Sequence, residues 1–125
     1  MYIEAAKISD IAPGGLLGVK LNGADLTIGN YEGRFYAVER ACGHASARLD
    51  RGTLTGNILT CPLHYAQFDI TTGEALSGPV PEAPDSKYPD PEAPGLKTHG
   101  LKTYQVKVEG DSIKVAAGSG RVKTQ

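Results

Sequence analysis

The stretch CPLHYAQFD, Cys61–Asp69, sets a thiol and an imidazole three positions apart with Pro62 between them. Only two cysteines and three histidines occur in the chain, and the other cysteine lies in CGH, Cys42–His44. Two Cys-His pairs therefore stand sixteen intervening residues apart. Thiolates are soft donors suited to iron–sulfur clusters, zinc or copper, and imidazole suits zinc and iron. One zinc ion can be met by two such pairs as a Cys2His2 site. Zinc fingers, however, usually pair Cys with Cys on one turn and His with His on the other. Here each loop offers one ligand of each kind, an arrangement that serves a two-iron centre better than a single ion.

Outward from these pairs the texture is that of strands. YIEAAKI (Tyr2–Ile8), LGVKLNG (Leu17–Gly23), DLTIGNY (Asp25–Tyr31) and RFYAVER (Arg34–Arg40) are short, β-rich runs. NGAD and YEGR between them carry Asn and Gly, which tolerate the positive φ of tight hairpins. NILTC, QFDIT, KTYQVKVEG and SIKVA follow, and the alternation in TYQVKVE and SIKVA predicts strands buried on one face. Gly73 in TTGE suits a tight turn. No helical pattern exceeds two turns, so the expected fold is all-β and antiparallel. Two regions break the pattern. Arg40–Gly52 reads as a loop carrying the first Cys-His pair. Ser77–Gly100 holds six of the eight prolines and repeats PEAP at Pro81–Pro84 and Pro91–Pro94. Proline lacks a backbone donor, so this segment reads as a surface excursion.

The composition narrows the function. A net charge of −1, no Trp and few aromatic residues give no reason to expect nucleic acid or an anionic membrane as partner. No basic-then-apolar leader opens the chain, and no apolar run is long enough to span a bilayer, so a cytoplasmic location is expected. There thiols beside histidines are more often metal ligands than disulfides. No glycine-rich dinucleotide motif and no second ligand set for a catalytic iron are present.

CGH followed by CPLHYAQFDITTGE resembles the Rieske-type [2Fe–2S] ferredoxins of ring-hydroxylating oxygenase systems. The likeness extends to NYEGRFYAVERACGH before the first loop, RLDRGTLTGNILTCPLH between the loops, FDITTGEALSGPVP after the second and LKTYQVKVEGDSIKV near the end. It implies a Rieske iron–sulfur domain: a β-sandwich or open-barrel base with a small cluster-binding subdomain. The expected division is one domain over 1–118, with the subdomain at about 40–79, a proline-rich insertion at about 80–100 and a flexible tail at 119–125. By the same resemblance Cys42 and Cys61 hold the inner iron of a [2Fe–2S] cluster, and His44 and His64 hold the outer one. Gly78 and Pro79 match a proline loop covering it. The chain would then be an electron carrier without a catalytic site, taking electrons from a flavin-dependent reductase and passing them to a terminal oxygenase or similar enzyme. A small subunit of a nitrite-reductase-like enzyme and a zinc-stabilised binding module are the alternatives.

Departures from the pattern concern potential. High-potential relatives carry a disulfide between the two ligand loops, and Ala47 and Leu63 stand at those positions here. The same relatives place Ser and Tyr hydroxyls on the cluster and a cysteine sulfur, where this chain has Ala66 and Phe68. Their absence implies a low-potential centre. Tyr65 follows the second histidine where many relatives have glycine. Arg40, Arg48 and Arg51 surround the first loop and read as solvated charge rather than as a steering patch. His99, in the proline-rich segment, reads as an exposed histidine.

Overall fold

A computed structural model describes residues 2–40, 48–62, 66–77 and 100–116. Within them run eleven strands: β1 (Tyr2–Lys7), β2 (Leu16–Leu21), β3 (Ala24–Tyr31), β4 (Arg34–Glu39), β5 (Thr53–Thr55), β6 (Ile58–Thr60), β7 (Gln67–Asp69), β8 (Ala75–Ser77), β9 (Thr103–Tyr104), β10 (Val106–Glu109) and β11 (Ser112–Ala116). Single 3-10 turns at Ile8–Asp10 and Leu49–Arg51 are the helical elements among the described residues. The strands form three sheets, ordered β1-β11-β10, β2-β3-β4-β9 and β5-β6-β7-β8, and every pairing is antiparallel. The all-β expectation holds, and the four N-terminal strands lie within two residues of where the sequence placed them.

Turn chemistry fixes the central meander. Asn22 and Gly23 both have positive φ (49° and 83°), as do Glu32 and Gly33 (54° and 89°). Two consecutive left-handed residues make a turn whose twist matches that of the flanking strands, so β2, β3 and β4 fold back on one another as two-residue hairpins. The resulting register pairs Leu16 with Gly29, Gly18 with Thr27 and Lys20 with Asp25. It also sets Gly29 opposite Tyr36 and Thr27 opposite Val38.

The central sheet is covered on both faces. Leu26, Ile28, Phe35 and Ala37 point one way and pack with Ala6, Ile113 and Val115 of the first sheet. Val38, Tyr36 and Leu16 point the other way, into a core with Leu49, Leu54, Leu59, Cys61, Ala66, Phe68 and Ile70. This double burial leaves residues 26–30 of β3 buried without interruption, although only Leu26 and Ile28 among them are large apolar residues. Gly29 sits where a Cβ would overlap Ile70 Cδ1, so the third sheet approaches the backbone of β3 closely.

The sequence missed β5 and β8, each three residues long, although the equally short β6 and β7 were legible in NILTC and QFDIT. It also overstated the burial of TYQVKVE. Val106 reaches the core, but Val108 on the same edge strand is 45% exposed. No transmembrane-length apolar helix is present among the described residues.

Phe68 is fully buried in the second core. Phe68→Ala is expected to lower unfolding free energy by about 3–5 kcal/mol, and Val108→Thr by no more than about 0.5 kcal/mol. Urea denaturation of the two variants checks the contrast.

Candidate metal centre

Of the four expected ligands, Cys61 is described; Cys42, His44 and His64 lie outside the described residues, as do Ala47, Leu63, Tyr65, Gly78, Pro79 and His99. Cys61 follows β6 directly and is fully buried. Its N–H donates to the Ala66 carbonyl at 2.8 Å, closing the short loop that contains His64. The next pair outward, Thr60 and Gln67, lies in the β6–β7 ladder, so the loop is the tip of a hairpin. Gln67 Nε2 donates to Thr60 Oγ1 at 3.2 Å across the same neck.

The first ligand loop is closed in the same manner. Arg40 follows β4, and its N–H donates to the Asp25 carbonyl at 3.0 Å. Leu49, on the far side of the loop, donates its N–H to the Arg40 carbonyl at 2.8 Å. Leu49 is fully buried and shares a core with Cys61, Ala66 and Phe68. The two loop bases also meet through backbone. A Cβ at Gly52 would overlap the Thr60 carbonyl oxygen and lie 3.3 Å from that of Leu49. The requirement for glycine here is space, since φ is an ordinary −84°.

These features fit a cluster ligated from both loops. A thiol on a rigid hairpin neck, packed against the base of the loop bearing CGH, is a donor fixed in place and shielded from water. Ala66 and Phe68 are fully buried and carry no hydroxyl, so neither side chain can donate a hydrogen bond to a cluster sulfur.

Of the three arginines read as solvated charge, Arg48 and Arg51 are exposed, and only Arg40 is partly buried. Arg40 Nη2 meets Asp25 Oδ2 at 3.2 Å, and its side chain is only one-quarter exposed. Arg48 grips Asp50 with two bonds, Nε to Oδ1 at 3.1 Å and Nη2 to Oδ2 at 2.7 Å. Arg51 is exposed. Sequence reasoning missed Asp25 and Asp50, because their partners lie across a turn or across strands. Burial opposes the charge on Asp50, but the Arg48 guanidinium outweighs it and holds the carboxyl below its usual range, with a smaller contribution from Arg40.

Asp69 ends β7 and organises the turn behind the second loop. Its Oδ1 accepts from the Thr71 N–H at 2.9 Å and the Thr71 hydroxyl at 2.7 Å. Its carbonyl accepts from the Gly73 N–H at 2.7 Å, and Gly73 has the positive φ (81°) expected of it. The Gly73 carbonyl in turn accepts from Leu101, tying the returning chain to this sheet.

The chain matches the model of the Rieske [2Fe-2S] domain over residues 1–105. It is 46% identical over 79 residues to the naphthalene 1,2-dioxygenase system ferredoxin component of Pseudomonas putida, a span covering 63% of this chain and 76% of that protein. Among solved structures it resembles the ferredoxin of carbazole 1,9a-dioxygenase from Nocardioides aromaticivorans IC177, with a TM-score of 0.72 and 25% identity over 93% of this chain and 97% of that one. A ferredoxin in a complex of reduced oxygenase and oxidized ferredoxin in carbazole 1,9a-dioxygenase gives a TM-score of 0.72 and 29% identity, over 91% of this chain and all of the other. Fold, paired ligand motifs and relatives agree: the chain belongs to the Rieske [2Fe-2S] domain family. Its cofactor is the Rieske-type [2Fe–2S] cluster, and it is an electron-transfer protein of the ferredoxin type rather than a catalytic enzyme.

Two outcomes follow from this geometry. Gly52→Ala forces backbone apart at the junction of the loops and is expected to cost about 1–3 kcal/mol of stability, measurable by denaturation. Burial disfavours the charged form of Asp69, yet hydrogen bonds from Thr71, Asn57 and Thr72 prevail and hold its carboxyl below the ordinary value. A folded-state pKa below the unfolded one contributes stability above about pH 4 that is lost as pH falls further. Thermal melts of Asp69→Asn should therefore lie below the wild type at pH 7, with the gap narrowing toward pH 3.

Proposed function

We propose that this protein carries single electrons from a flavin-dependent reductase to the terminal oxygenase of a ring-hydroxylating system. The observation that carries the reading is the buried Cys61 thiol on its closed hairpin, packed against the base of the loop bearing CGH. In this reading Cys42 and Cys61 hold the inner iron, and His44 and His64 the outer one. The cluster, when bound, supplies one reversible electron. The chain's own part is to fix the thiolates on rigid necks, exclude water from the inner side, and leave the imidazole side toward a partner. The similarity to dioxygenase ferredoxin components supports the choice of acceptor class. We place the protein in the cytoplasm, where thiols stay reduced and available as ligands.

Low potential belongs to the same proposal. Hydrogen bonds to cluster sulfur stabilise the reduced state and raise the potential. Ala66 and Phe68 can supply none from their side chains. The midpoint is expected near the lower end of the range of about −150 to +300 mV, and a value above about +100 mV counts against this tuning.

Electron paramagnetic resonance of dithionite-reduced protein tests the ligand set. A rhombic signal of low average g, lost in Cys61→Ala and His64→Ala, is the expected result. A colourless zinc-containing protein from iron-sufficient expression overturns it. Anaerobic mixing of the reduced protein with a naphthalene 1,2-dioxygenase-type oxygenase should reoxidise it within the mixing experiment, and no reoxidation counts against that acceptor class.

A further inference from the structure

The first ligand loop is bracketed by two arginines, Arg40 before it and Arg48 after it. Each is paired with an aspartate, Asp25 within the central sheet and Asp50 against its edge strand. Asp25, the second residue of β3, faces Arg40 on the sheet side that looks toward the loops; Lys20 flanks it in the same cross-strand row, its Nζ 3.9 Å from Asp25 Oδ1. Asp50 lies in the 3-10 turn after the loop, over the edge strand β2, where a Cβ on Gly18 would sit 2.5 Å from its Oδ2. The charges alternate: Arg48 also feels Asp25, and Asp50 also feels Arg40.

The two halves differ in strength. Asp25 engages Arg40 through one oxygen, while its buried Oδ1 has no hydrogen bond. Asp50 accepts two bonds from Arg48, and its side chain is only 9% exposed. A bidentate guanidinium–carboxylate pair is geometrically specific; here the carboxylate is shielded while the Arg48 side chain stays 44% exposed, so the cost of breaking the pair falls between the open-surface and the buried case. Between Arg48 and Asp50 stands Leu49, whose side chain fills the core beside Cys61 and whose N–H closes the loop on Arg40. Whatever holds Asp50 on β2 therefore holds the descending side of the first loop at its distance from the second.

We infer that Asp50 is a positioning residue for the metal centre: seated against Gly18 and clasping Arg48, it locks the neck of the Cys42–His44 loop, and this lock governs how firmly the chain retains its cluster. The inference rests on the ligand assignment above. It explains why an interior strand position that only needs a β-former is glycine. It also assigns Arg48 an internal task, so a steering role for this side chain is not required.

The test uses holoprotein purified with its cluster. Loss of visible absorbance in excess ferrous chelator is followed for wild type, Asp50→Asn, Gly18→Ala and Val115→Ala, with thermal melts alongside. Asp50→Asn removes the charge; Gly18→Ala keeps every charge but pushes the carboxylate off its seat. Val115→Ala weakens the other core, away from the loops. Both clamp variants should lose the cluster about tenfold faster than wild type, and faster than Val115→Ala at equal loss of melting temperature. The midpoint potential should rise in Asp50→Asn, which loses a negative charge, and move less in Gly18→Ala. Retention equal to wild type, or no worse than in Val115→Ala, overturns the clamp while leaving the cluster assignment standing. A wild-type protein without cluster absorbance overturns both.

Discussion

The register of the β2–β3–β4 meander is the constraint on which the rest depends. A shift of one residue would exchange the two faces of the central sheet. Leu26 and Ile28 would turn toward the ligand loops, and Gly18, Thr27 and Gly29 would turn into the apolar layer against β1 and β11. The two-residue turns at Asn22-Gly23 and Glu32-Gly33 forbid that slip, since each fixes which residues oppose one another. Glutamate is an uncommon choice for positive φ, where Asn, Asp and Gly dominate. Its left-handed backbone costs something that the buried rows on either side must repay.

From this register the placement of the metal centre follows. The face that carries Leu16, Tyr36 and Val38 has small residues at Gly18, Thr27 and Gly29, and the third sheet and the turn at Leu49–Arg51 lie close upon it there. Gly29 makes room for Ile70 and Gly18 for Asp50; Gly52, in the overlying layer, makes room for the backbone of Thr60. Three absent Cβ atoms thus let the bases of the two ligand loops approach where side chains would hold them apart. The larger residues, Leu49, Leu59 and Phe68, then fill the space beneath Cys61 and leave little freedom for the thiol to move.

How much of this the sequence disclosed depends on the range of the signal. The long strands and their hairpins announced themselves through β-branched runs and Asn-Gly chemistry, which are local. The ligand pairs announced themselves through residue type and spacing. β5 and β8 did not; their pairing is dictated by neighbours already in place. The exposed Val108 had the right alternation but sits on an edge strand whose burial depends on what covers it, which alternation cannot report. The ion pairs at the first loop were illegible for a related reason. Arg48 and Asp50 are two apart, and only the non-repeating backbone of a 3-10 turn brings them face to face, while Arg40 and Asp25 meet through strand pairing.

The paired arginines show where electrostatics and packing must be weighed together. Four charges around one loop neck could have served a docking surface, with arginines open to an acidic partner. In the structure both guanidinium groups that bracket the loop are already within 3.2 Å of a carboxylate of the same chain, although Arg48 stays 44% exposed. An external acid would have to displace a partner that carries no cost of association, so these pairs hold the loop rather than advertise it. The specificity of the carrier need not then be written in the same residues that keep its metal in place.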